Sequence, residues 1–74
     1  MSYNYSALRG KIIEKYGTVR QFASAMGWSE ATGYNKLNNN ISWKQSEISH
    51  ASEMLNIMPD EIAPYFFTLE VQKN

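Results

Sequence analysis

Apolar residues recur at helical spacing along most of the chain, and glycine, asparagine and proline interrupt them at intervals. Leu8, Ile12 and Tyr16 stand at i, i+4 and i+8, with Ile13 widening the stripe, Ser6 in N-cap position and Gly17 as a stop, which predicts a first helix. Thr18 with Gln21 three residues on is a capping-box signature, and Val19, Phe22, Ala23 and Met26 form the apolar face of a second helix that ends at Gly27. Trp28 follows, Ser29 caps a third helix running to about Asn38, and Asn38-Asn39-Asn40 reads as a loop, because asparagine tolerates the left-handed conformation. Ser42, with Gln45, is placed to start a fourth helix whose buried side is Ile48, Ala51, Met54 and Leu55 and whose breaker is Asn56. Pro59 suits the first position of a short fifth helix, Asp60 and Glu61 complement the positive end of its dipole, and Pro64 is expected to end it. Tyr65-Phe66-Phe67 leads into Thr68 to Gln72, which alternates as an edge strand does and could pair with a copy of itself. The expected fold is all-α: four to five helices in a single domain, residues 1–74, with a short C-terminal tail, 65–74.

The functional content concentrates between Thr18 and Asn38, where two short capped helices are joined by a glycine turn. Ala23 is small enough for two helix backbones to cross closely, Gly27 can take positive φ in a tight reversal, and Trp28 anchors the turn to the core. At 100° per residue, Gly33 and Leu37 point inward while Ala31, Asn35 and Asn38 point outward, with Thr32 and Tyr34 on the flanks. That outward face suits a DNA major groove: Asn35 for an adenine edge, Ala31 for a thymine methyl, Glu30 for a cytosine amino group, and Tyr34 beside them. Thr18, Arg20, Ser29, Lys36, Asn38, Asn40 and Lys44 are the candidates for backbone phosphates, which set position rather than sequence. An ordinary solvated helix face is the competing reading.

The arrangement resembles the helix-turn-helix of the phage Cro/repressor superfamily, and the short phage-encoded Cro-like regulators of Gram-positive hosts in particular. The matching stretches are Tyr5 to Thr18, Phe22 to Thr32, Lys36 to Asn38 and Tyr65 to Phe67. The resemblance implies a lambda-repressor-like domain with its helix-turn-helix at helices two and three, acting as a dimer on operator DNA. One position departs from the superfamily pattern: Gly33 stands where an apolar residue packs the third helix on the second, so a gap is expected there, to be filled by Trp28 or Tyr34.

Composition refines this picture. With 43% hydrophobic and 14% aromatic residues the chain is expected to pack rather than stay disordered, and 74 residues supply a core only just large enough, so dimerisation would help. There is no cysteine and a single histidine, His50, expected on the solvated side of its helix, so no metal site is expected. Met26, Met54 and Met58 read as core filler, and Trp43 as either core or a residue stacked on DNA sugar. No nucleophile or acid–base spacing and no phosphate-cradling glycine loop is found, so neither catalysis, a cofactor nor a small-molecule substrate is expected. No apolar run approaches the roughly 20 residues that span a bilayer. Met1 to Ser6 lacks the regions of a signal peptide, which makes the cytoplasm of a bacterial host the expected location.

The formal net charge is zero, yet the charges are segregated. Residues 1–46 carry Arg9, Lys11, Lys15, Arg20, Lys36 and Lys44 against Glu14 and Glu30, and residues 47–74 carry Lys73 against Glu47, Glu53, Asp60, Glu61 and Glu70. The basic half coincides with the two-helix unit, as an electrostatic footprint for DNA would. Three adjacent aromatics cannot all face one core from one helix, so Tyr65, Phe66 and Phe67 are candidates for a homodimer or partner seam. Three functions therefore stand open: an operator-binding regulator reading DNA with the helix after Ser29, an antirepressor that engages a phage repressor protein through the same fold, and a phage structural protein with a vestigial motif.

Overall fold

Two helices in the middle of the chain approach closely at a glycine, where any larger side chain would be tight against the facing helix. The computed structural model describes residues 2–71. In it α1 (Ser6–Tyr16), α2 (Val19–Met26), α3 (Glu30–Leu37) and α4 (Gln45–Met54) precede a 3₁₀ turn, Pro59–Glu61, that runs into α5 (Ile62–Phe66). The fold is all-helical, with one isolated antiparallel bridge between Tyr3 and Leu69. At Gly33 in α3 an added Cβ would lie 3.0 Å from Ala23 Cβ and 3.4 Å from Val19 Cγ1 in α2. The gap expected at Gly33 is therefore absent, and neither Trp28 nor Tyr34 has to fill one. The glycine's helix-propensity cost of about 1 kcal/mol is accepted for close backbone approach. Gly33→Leu is expected to wedge α2 from α3 and lose about 3 kcal/mol in urea unfolding, since overpacking in a helix contact admits little relaxation.

Helix ends follow the sequence signals in the middle of the chain. Gly17 closes α1 at φ 84° and Gly27 closes α2 at φ 80°. Thr18 Oγ1 accepts from Gln21 N at 3.1 Å, and Ser29 Oγ accepts from Thr32 N at 3.2 Å. Asn39 and Asn56 take the left-handed conformation at φ 66° and 57°. The ends of the chain differ from expectation. α1 is preceded by Tyr5, whose ring is buried in the core, so Ser6 is the first helical residue and its N–H donates to Asn4 Oδ1 at 2.9 Å. α4 starts at Gln45 rather than at Ser42, because Trp43 is drawn into the core and the Ser42 carbonyl is taken by Lys36 Nζ. Glu47 supplies the cap instead, accepting from Lys44 N at 2.8 Å. Pro64 lies inside the first turn of α5, where its missing N–H is tolerated, and does not end the helix.

Leu8, Ile12, Val19, Phe22, Leu37, Ala51, Leu55, Ile57 and Phe66 form the core. Tyr16, Phe22, Trp28, Trp43 and Phe66 link edge to face in one chain of rings, with successive centroids 5.1–6.2 Å apart. Trp43 is thus a core residue, its Nε1 donating to the Lys36 carbonyl at 3.2 Å. Ile13 is exposed, turned away on the outer side of α1, and Met58 is 60% exposed, so neither joins the core; Met26 and Met54 are half-buried. Of the aromatic triplet, Phe66 is 1% exposed and packs under Trp43, which removes it from the candidate seam; Tyr65 is half-buried and Phe67 is 48% exposed. The tail meets the N-terminus of its own chain: Asn4 N donates to Thr68 O at 2.7 Å and Glu70 N to Ser2 O at 3.0 Å. Residues 72–74, the end of the tail assigned by sequence, lie outside the described residues.

Candidate functional site

Two surfaces have the chemistry to recognise another macromolecule. The first is the outer face of α3. Glu30 and Ala31 are exposed at its start and Tyr34 is 40% exposed one turn on, while Asn35 is half-buried. Asn35 Oδ1 accepts from Asn40 Nδ2 at 3.2 Å, and its backbone carbonyl accepts from Asn40 N and Ile41 N. A two-pronged contact to adenine uses both ends of the Asn35 amide and would share its Oδ1, which has two lone pairs, with Asn40.

The asparagine tract is largely occupied with holding the chain. Asn39 accepts from Tyr3 N at 3.0 Å and donates to Tyr3 O at 2.8 Å, clamping the N-terminal segment, and Asn38 Oδ1 accepts from Arg9 Nη2 at 3.1 Å. Thr18 and Ser29 are exposed with their hydroxyls engaged in caps, and Arg20 and Lys44 are exposed cations.

Lys36 is a correction to the phosphate-contact set. It is 4% exposed, its Nζ reaches Glu47 Oε1 at 2.6 Å and Ser42 O at 2.8 Å, and it lies 5.4 Å from the centre of the Trp28 ring. Leu37 and Gly33 already fill the inner side of α3, and the lysine stem follows them under the α3–α4 loop, where Glu47 pairs its charge. Burial pushes the Glu47 carboxyl up, but hydrogen bonds from Lys36 and Lys44 N, with their charges, outweigh it and hold the group below the ordinary range. A depressed carboxylate contributes stability that is present above its unfolded pKa, about 4.3, and is lost as pH falls through the lower folded value. Chemical unfolding is therefore expected to show a loss of stability below about pH 4.3 that Glu47→Gln largely removes.

The second surface is a groove of about 460 Å³ between α4, the 3₁₀ turn and α5, floored by Ile48, Ile57 and Ile62 and edged by Phe67. Glu53 is the one charged residue lining it, and exposed Asp60 and Glu61 follow the lining residue Pro59 in the chain. Ser52, 5% exposed, also lines it, and its Oγ has no hydrogen-bond partner in the protein. The acidic residues Glu53, Asp60 and Glu61 were legible in the sequence as a candidate partner patch, but the apolar groove beside them was not, since Met58 reads as core filler. Among the described residues no group of three or more metal-ligating side chains converges, and no helix is long and apolar enough to cross a membrane.

The fold and its two candidate surfaces define a small all-helical domain with faces suited to recognising another macromolecule. The chain belongs to the family described as a protein of unknown function (DUF739), whose profile matches residues 1–69. Among solved structures it is similar to the modulator of repression (MOR) of the temperate bacteriophage TP901-1 from Lactococcus lactis, at 50% identity over 97% of each chain with a TM-score of 0.81. That relative is a phage regulatory protein, as its description states. No curated protein matches the chain.

Proposed function

We propose that this protein is a phage regulator that modulates repression by engaging a repressor protein in the bacterial host cell. The observation that carries the reading is the 50% identity, over 97% of both chains, to a protein described as a modulator of repression. The charge distribution supports it: with Lys36 spent on Glu47, the two-helix half offers fewer phosphate-binding cations, and Gln45 to Val71 contains no lysine or arginine. Tyr65 and Phe67 are the tail aromatics left to contact a partner. The test is isothermal titration of this protein with purified repressor of phage TP901-1. A saturable complex with a Kd in the micromolar range or tighter is expected, and heats no larger than dilution would refute the reading.

A second reading, operator binding by a dimer through α3, draws support from the exposed Glu30, Ala31 and Tyr34 at the start of a capped helix. Glu30, Ala31, Tyr34 and Asn35 would touch bases, and Thr18, Arg20, Ser29, Asn38, Asn40 and Lys44 the backbone. A mobility-shift salt titration with the DNA flanking this protein's own gene decides it. Binding that falls steeply with salt, exceeds that for random DNA and is lost in Asn35→Ala would establish it. Equal affinity for random DNA would remove it.

A further inference from the structure

We infer that the groove between α4 and α5 is a docking site for an amphipathic, cationic segment of a partner protein, one that inserts aliphatic or aromatic side chains and flanks them with lysine or arginine. This inference rests on the repressor-engaging reading above and names the surface that does the engaging.

Three independent features converge on it. The floor is apolar, with Ile48, Ile57 and Ile62 half-buried or buried, and Phe67 leaves 48% of its surface in water beside them. In so small a domain, an apolar groove next to exposed aromatic surface is the usual mark of a recognition site. The charge near it is mainly acidic: Glu53 is the one charged residue lining it, exposed Asp60 and Glu61 follow the lining residue Pro59, and the exposed Lys44 before Gln45 is the last lysine or arginine up to Val71. Glu47 takes no part, because Lys36 neutralises it. Such a surface attracts cationic partners and repels acidic ones, so it selects by charge before contact.

The third feature is Ser52. Its hydroxyl is buried in the wall with no partner, although a helix serine in this position ordinarily either faces water or bonds a backbone carbonyl. An unpaired buried hydroxyl weakens the free protein, and because its oxygen has almost no accessible surface it gains a partner from a bound segment only as the groove wall opens on docking. The same apolar pocket without the hydroxyl would be better for stability alone.

The experiment measures the Kd of TP901-1 repressor for the wild type and for Glu53→Lys, Phe67→Ala and Ser52→Ala, with thermal melts of each free protein. Glu53→Lys and Phe67→Ala are each expected to weaken binding about tenfold or more, and the loss at Glu53 should shrink at 0.5 M salt, as a screened charge contact does. Ser52→Ala is expected to leave or raise the melting temperature of the free protein while weakening binding several-fold, a split that a purely structural serine would not give. Wild-type binding that all three variants retain within twofold overturns the groove while leaving the repressor reading standing. No wild-type binding overturns both. Sedimentation of the protein alone covers the remaining occupant: self-association abolished by Glu53→Lys would assign the groove to a second copy of this chain and overturn the inference.

Discussion

Phe66→Ala is expected to remove most of the net stability of the fold, whereas Phe67→Ala leaves the fold intact. Phe66 is 1% exposed, its ring meets Trp43 edge to face at 5.1 Å, and it closes the end of the aromatic chain that starts at Tyr16. Truncating a fully buried phenylalanine costs about 3–5 kcal/mol. A domain of this length has roughly 5 kcal/mol or somewhat more in total. Each kcal/mol is worth about 4–8 °C of melting temperature at this size, so a drop of roughly 15–30 °C is expected. Phe67 is 48% exposed and makes a T-shaped contact with Tyr3 at 5.9 Å, so its removal should cost only about 1 kcal/mol. Thermal melts followed by circular dichroism separate the two neighbours directly. Equal effects would mean that the tail does not pack as described.

Lys36→Ala is expected to destabilise by about 3 kcal/mol, because it leaves the Glu47 carboxylate partly buried without its counter-charge. Lys36→Met combined with Glu47→Gln should recover a large part of that loss. The pair of charges is replaced by groups of similar volume, and the glutamine oxygen can still accept from Lys44 N. A double-mutant cycle in urea is expected to give a coupling energy above about 1 kcal/mol, the signature of direct contact. The same substitution tests the correction to the candidate site. A lysine that neutralised a phosphate would, on removal, reduce the salt dependence of any DNA binding by close to one ion, while this buried lysine should leave the slope unchanged.

The candidate surfaces were legible to different degrees. The caps at Thr18 and Ser29 and the stops at Gly17 and Gly27 are local decisions, made by side-chain oxygens within three residues of the amides they serve or by positive φ at a single position, so they could be read directly. The exposure of Ala31 and Asn38 followed from helical periodicity, whereas Asn35, placed outward with them, is half-buried and Tyr34, placed on the flank, is exposed. The engagement of Asn35 by Asn40, of Asn39 by Tyr3 and of Lys36 by Glu47 was not legible. These pairs are 5, 36 and 11 residues apart, and nothing in an asparagine or lysine announces which distant group will face it. The groove escaped for the same reason, since its walls come from α4, the 3₁₀ turn and the segment after α5.

By itself the sequence determined the all-helical plan, the order of the elements, the two-helix unit with its glycine turn, and the separation of basic from acidic halves. Each of these depends on propensity, capping or periodicity over a few residues, where local energies act alone. Tertiary structure alone decided that Gly33 is a point of contact rather than a gap, that Lys36 is buried and Phe66 internal while Phe67 is free, and that the tail closes on the N-terminus. Those outcomes turn on which surfaces meet across the fold, and burial is a property of the meeting, not of either residue.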